Sequence, residues 1–122
     1  MRLGVLLFLV AVFAFGCERS GDTDPPLVVG TRPVDGDIGV VSDTVVIYFS
    51  EAMNPTVTSQ AVSLDTLHGF AEQPAFPYPD RMMFRVEPDS GTVTVHVAPT
   101  AEDEEGNRLG IAFPPFSFTF AQ

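Results

Sequence analysis

Four acidic residues and an amide crowd into six positions late in the chain: Glu102, Asp103, Glu104, Glu105 and, after Gly106, Asn107. Carboxylate and amide oxygens gathered in this way are what hard cations such as calcium bind. The spacing does not fit the twelve-residue calcium loop that lies between two helices, and adjacent acids point different ways. Two readings stand. Gly106-Asn107 is sufficient for a turn, because glycine takes positive φ and asparagine bonds nearby backbone, so the acids can be a solvated, charge-bearing cap. Alternatively, Asp103, Glu105 and Asn107 supply ligands to calcium. The turn is the default.

Other chemistry is scarce. The two histidines are His68, beside a glycine, and His96, within an alternating run; both read as surface residues. Nucleophilic catalysis needs a hydroxyl or thiol activated by a base that a third group orients, and no local motif of that kind occurs. There is no glycine-rich phosphate loop and no histidine–glutamate zinc signature. We assign no catalytic residue and, calcium apart, no cofactor. A formal net charge of −10, with no lysine, opposes binding to nucleic acid and to anionic headgroups.

The single cysteine is Cys17, directly behind the apolar run Leu3–Gly16, which follows Arg2. That run has 14 residues, fewer than the roughly 18 expected of a bilayer-spanning helix. Ala14-Phe15-Gly16-Cys17 closes it with mostly small residues. The arrangement resembles the signal peptide of a bacterial lipoprotein, whose terminal cysteine is lipidated and becomes the new N-terminus. The resemblance implies a signal peptide over residues 1–16, lipid on Cys17, and a cell-envelope location. Glu18 stands where aspartate usually retains such proteins at the inner membrane, so the outer membrane is favoured where there is one. All 16 acidic residues follow Cys17, so lipid, not a basic patch, would hold the protein on its membrane. An acylated Cys17 leaves no thiol for a disulfide. Residues up to Pro25, polar and rich in turn formers, read as a short tether.

The remainder must position these groups without a convincing helical stripe. Several segments alternate with period two. From Thr44 to Ser50, Val45, Ile47 and Phe49 form the inward set, leaving Val46 and Tyr48 outward. Arg81 to Val86 sets Met82, Phe84 and Val86 against Met83 and Arg85. Thr92 to Val97 sets Val93, Val95 and Val97 against Thr92, Thr94 and His96. Phe116, Phe118 and Phe120 share one side of the last strand. Leu27–Val29 and Ala61–Leu64 are further strands. Arg32–Asp37 and Pro88–Gly91 read as turns, Asn54–Thr56 as an irregular or one-turn helical link, and the proline-rich Glu72–Asp80 as a loop or poor edge strand. Short strands separated by Gly, Pro and Asp turns predict an all-β, immunoglobulin-like sandwich of about seven strands. Val46, Tyr48 and Met83 would then form an outward patch suited to a partner, since a tyrosine ring packs while its hydroxyl stays wet.

Residues 26–122 resemble the SbsA-type bacterial immunoglobulin-like domain. The likeness rests on Pro26-Leu-Val-Val-Gly-Thr-Arg-Pro-Val-Asp-Gly36, on Asp43–Ser50 running into Glu51-Ala-Met-Asn-Pro-Thr56, and on Gly91–Ala98 followed by Asp103–Leu109. It implies a non-catalytic structural or adhesive accessory of the envelope, contacting an envelope protein or surface glycan. A carbohydrate- or peptide-binding module is the alternative.

Overall fold

The computed structural model describes residues 24–87 and 91–121. Cys17, the leader, most of the tether and Pro88–Ser90 of the expected turn lie outside the described residues. Alternating segments become strands because extended backbone sends successive side chains to opposite faces, so one face can be buried and the other left wet.

Among the described residues, eight strands and one short helix follow in the order β1 (Val28–Arg32), β2 (Asp37–Val40), β3 (Thr44–Phe49), α1 (Pro55–Gln60), β4 (Val62–Leu64), β5 (Phe70–Tyr78), β6 (Arg81–Val86), β7 (Thr92–Val97) and β8 (Phe116–Phe120). One sheet has the order β1-β3-β6-β5 and the other β2-β8-β7-β4. Within these sheets β2 runs parallel to β8, and the remaining pairs are antiparallel. The chain therefore changes sheet between β1 and β2, at Arg32–Pro33, whose peptide bond is cis.

The expected inward sets all reach the interior: Val45, Ile47 and Phe49; Met82, Phe84 and Val86; Val93, Val95 and Val97; Phe116, Phe118 and Phe120. Phe118 and Phe120 meet edge to face at 5.5 Å, and Phe70 meets Phe84 in the same way at 5.1 Å. Such pairs contribute about 0.5–1.5 kcal/mol beyond the area they bury. The core holds together on phenylalanine and valine.

Two strands depart from expectation. Glu72–Asp80, read as a loop or poor edge strand, belongs mostly to β5, which at nine residues is the longest strand. It is an edge strand, and its register with β6 shifts three times, between Phe70/Glu72, Glu72/Ala75 and Ala75/Tyr78. Pro74 and Pro77 cannot donate to a ladder, so the strand survives by bulging around them. β2 was not expected at all. Its sequence Asp-Ile-Gly-Val does not alternate, Gly39 has φ 68°, and Ile38 is exposed.

The link after β3 is a six-residue helix. The Asn54 side chain accepts from the Val57 N–H at 3.1 Å, and Pro55 follows it in the first turn, where its missing N–H costs nothing. Thr58 is fully buried on this helix and donates its hydroxyl to the Glu102 carbonyl at 3.0 Å. A β-strand-like bridge between Met53 and Asp103 completes the joint. Together these pin the link after β3 to the acidic loop.

Candidate functional site

That joint turns the acidic run into a defined arrangement. Gly106, at φ 89°, lets the chain reverse, so that the Asp103 N–H donates to the Asn107 carbonyl at 2.9 Å. Asp103 is the hub. Its Oδ1 accepts from the backbone N–H groups of Glu105 (2.9 Å) and Asn107 (2.8 Å), and its Oδ2 accepts from Asn107 Nδ2 at 3.0 Å. Glu51, two residues past the end of β3, brings its carboxyl into hydrogen-bonding contact with Asp103. Burial opposes ionisation of Asp103. The hydrogen bonds from the Asn107 side chain, the Asn107 N–H, Glu51 and the Glu105 N–H outweigh it, and hold the carboxyl below its ordinary value.

Oxygens of Glu51, Asp103 and Glu105 all lie within 4.8 Å of one another. Two carboxyl groups in contact need a proton or a cation between them. The trio can therefore hold a metal ion. Calcium takes about 6–8 oxygens, so three carboxylates leave room for water ligands. Asp103 and Glu105 of the expected set are part of this trio. Asn107 is placed differently, with its amide nitrogen spent on Asp103. Glu51 was missed, and only the pairing of distant loops brings it in; an acid placed just after a strand gives no local signal.

The outward patch forms across three strands of the first sheet. Val46 stands opposite Met83, Tyr48 opposite Arg81, and Tyr78 on β5 opposite Arg81 from the other side. The Arg81 guanidinium lies over both tyrosine rings, 5.4 Å from the centre of Tyr48 and 4.7 Å from that of Tyr78. Such cation–π contacts contribute about 0.5–1 kcal/mol at exposed sites. Val46 and Tyr48 are half-buried rather than exposed, while Met83 is 37% and Tyr78 57% accessible. A cavity of about 390 Å³ adjoins Met83 on this face, walled by Ala75, Phe76 and Pro77. Arg85 at its rim is engaged by Asp43 at 2.6 Å, whose carboxyl that contact holds low. The expected trio is thus brought together. Tyr78 joins it because β5 is a strand, and Arg81 joins it from β6; Phe76 is stacked on the buried Phe49 and packs against the core.

The histidines divide. His96 is on the wet face of β7, as expected. His68 is not a surface residue: its side chain is only 4% exposed, and its Nδ1 is 2.8 Å from Asp65 Oδ1. Asp65 also accepts from the backbone N–H groups of Leu67 and Thr94, at 2.9 and 2.8 Å, so it stitches the loop after β4 to β7. Burial disfavours its charge, yet the bonds from Thr94, His68 and Leu67 prevail and keep its carboxyl below the ordinary value. His68 Nε2 has no hydrogen-bond partner among the described residues, so no hydroxyl is aligned for activation there.

Solved structures share this fold, two among them as follows. An L,D-transpeptidase from Mycobacterium smegmatis matches with a TM-score of 0.52 and 16% identity, over 80% of this chain and 41% of that one. The N-terminal part of the bacterial S-layer protein SbsC matches with a TM-score of 0.51 and 14% identity, over 79% of this chain and 23% of that one. This chain thus spans less than half the length of either protein. A search of curated proteins finds no match. Residues 22–120 match the family described as Bacterial Ig-like domain, and with that match covering most of its length the chain belongs to this family.

Proposed function

We propose that this protein is a lipid-anchored accessory of the bacterial cell envelope, acting as a structural or adhesive module and not as a catalyst. In this reading residues 1–16 are a signal peptide, Cys17 carries the lipid, and the segment up to Pro25 tethers the sandwich close to the membrane. The domain is of the SbsA type, and the outer membrane is its favoured location. The observation that carries the proposal is the patch of Val46, Tyr48 and Met83 around Arg81. It is a preorganised, partly apolar surface on a chain with no catalytic arrangement among its described residues. The fold shared with an S-layer protein is in keeping with this role. Calcium on Glu51, Asp103 and Glu105 would brace the end at which the chain enters, since Ser50 bonds Leu27 and Gly110 bonds Pro26 there.

In-cell crosslinking tests this. A photoreactive residue at position 48 in native-level protein, with Cys17→Ala as control, should yield one defined envelope adduct that the unlipidated form loses. An adduct that persists without lipid would refute the anchor. No adduct above background would refute the docking role of this face.

A further inference from the structure

We propose that the outer face of the first sheet docks an extended peptide of a partner protein. The peptide places an apolar side chain in the cavity beside Met83 and, two residues along, a carboxylate on Arg81. This rests on the reading of the face as the envelope contact, and names the chemistry that the contact takes.

The cavity of about 390 Å³ has an apolar wall of Ala75, Phe76, Pro77, Met83 and Phe84, with Thr44, Glu72, Gln73 and Arg85 lining the rest, and its volume is within the range of ligand pockets. It opens where the register of β5 slips around its prolines. Arg81 is held between two rings with its side chain still 45% exposed, and its nearest carboxylate, Asp80, is 3.8 Å away and itself half exposed. Such a pair is weak, so the guanidinium is oriented but still has donors to offer. Arg85, at the other rim, is occupied by Asp43 and stands opposite Glu72. An incoming acid is therefore read at Arg81.

Spacing sets the register. Arg81 and Met83 lie on the same face of β6, two residues and about 7 Å apart. An extended ligand repeats its side chains with the same period, so an apolar residue and an acid separated by one position match both features. The charge is local: Arg32, Arg81 and Arg85 lie on this face, but Asp43 and Glu72 offset Arg85, whereas Asp80 engages Arg81 only at 3.8 Å. A sugar is a poorer fit, since Arg81 already covers one face of each tyrosine ring and the cavity walls are mostly apolar. At the β5 edge, which is the one beside the cavity, Pro74 and Pro77 oppose strand addition. The ligand lies on the face.

Methionine-methyl NMR of the full-length chain in lipid nanodiscs reads the face through Met83 and the core through Met53 and Met82. The probes are blocked pentapeptides containing Phe-Ser-Glu, the Phe-Ser-Lys and Ala-Ser-Glu counterparts, and an oligouronate. Phe-Ser-Glu should shift Met83 at about millimolar concentration and leave Met53 and Met82 unmoved. Both counterparts should bind about tenfold more weakly, the loss expected for one charge-assisted hydrogen bond or one buried ring. Arg81→Gln, its fold checked by unchanged Met53 and Met82 signals, should abolish the preference for Glu over Lys. Silence with every peptide, an oligouronate response in place of a peptide response, or a Glu preference that survives Arg81→Gln would each overturn the proposal. Silent peptides with a surviving position-48 crosslink would remove the peptide chemistry alone; loss of both would remove the docking face as well.

Discussion

Replacing Asp103 by alanine should destabilise the domain by about 3 kcal/mol, a figure that follows from its contacts. The carboxylate is fully buried and accepts three hydrogen bonds, at 2.9, 2.8 and 3.0 Å. Each bond to a charged acceptor is worth about 1.5–3 kcal/mol when broken. Water recovers part of this, because Glu105 is exposed and Asn107 half-buried. Loss of the hydrogen bond with Glu51 adds to the cost. For a domain of this size, 3 kcal/mol corresponds to a fall in melting temperature of roughly 12–24 °C. Circular dichroism melts, with urea titrations beside them, give the value. Asp103→Asn keeps the acceptor for the two backbone N–H groups but turns an amide nitrogen toward Asn107 Nδ2. Adding Asn107→Asp to that variant restores an oxygen opposite a nitrogen and should recover about half of the loss. A melting temperature for Asp103→Ala within about 4 °C of the parent would refute the hub, and with it the assignment of the acidic loop as a built structure.

Calcium at ten times its dissociation constant should stabilise the protein by about 1.4 kcal/mol; Glu51→Gln and Glu105→Gln should abolish that thermal shift without lowering the calcium-free melt. Asp65 and Asp103 are both held below the ordinary carboxylate value, so the folded state binds their protons less tightly than the unfolded state. Their contribution is complete above about pH 5 and disappears as pH falls through the folded values. Urea midpoints should be flat above that point and drop below it, more shallowly in Asp65→Asn; a midpoint that rises with added acid would contradict the sign. Phe118→Ala should cost about 3–5 kcal/mol by chemical denaturation, because the ring is fully buried and loses its edge-to-face contact with Phe120; a loss under about 1 kcal/mol would mean that the core closes over the gap. Gly106→Ala should cost about 1–3 kcal/mol from its positive φ alone, since a methyl group there meets open space; an unchanged melt would show that the turn relaxes.

The strands legible in the sequence are those whose alternation is enforced by burial on one side only. β3, β6, β7 and β8 each carry a strict period of two, and their inward sets were readable residue by residue. The other four are edge strands, of which β1 and β4 still show as apolar runs while β2 and β5 do not. With one flank unpaired and fewer side chains in the core, they are free to carry Gly39, Pro74 and Pro77, the residues that mask a strand in the sequence. The site follows the same rule. Val46, Tyr48 and Met83 could be read from alternation, but Tyr78 could not be while β5 was a loop. Asp103 and Glu105 stood out by density. Glu51 did not, because its partners are brought to it by the bridge from Met53 and the hydrogen bond from Thr58, contacts between segments about fifty positions apart in the chain. His68 looked exposed because a loop glycine follows it, whereas Asp65 folds it inward.

The way β1 is held has a mechanical meaning. Leu27 is tied to Ser50 by two hydrogen bonds, of 2.9 and 2.8 Å, and β1 then runs antiparallel to β3 before the chain enters the other sheet as β2 beside β8. Ladder hydrogen bonds lie across the strand axis. If Cys17 is the anchor, tension between the membrane and a cargo on the sheet face pulls β1 lengthwise along β3. The bonds are then loaded in shear, all at once, instead of being peeled one by one. The strand nearest the anchor would bear force up to a threshold and give way abruptly beyond it.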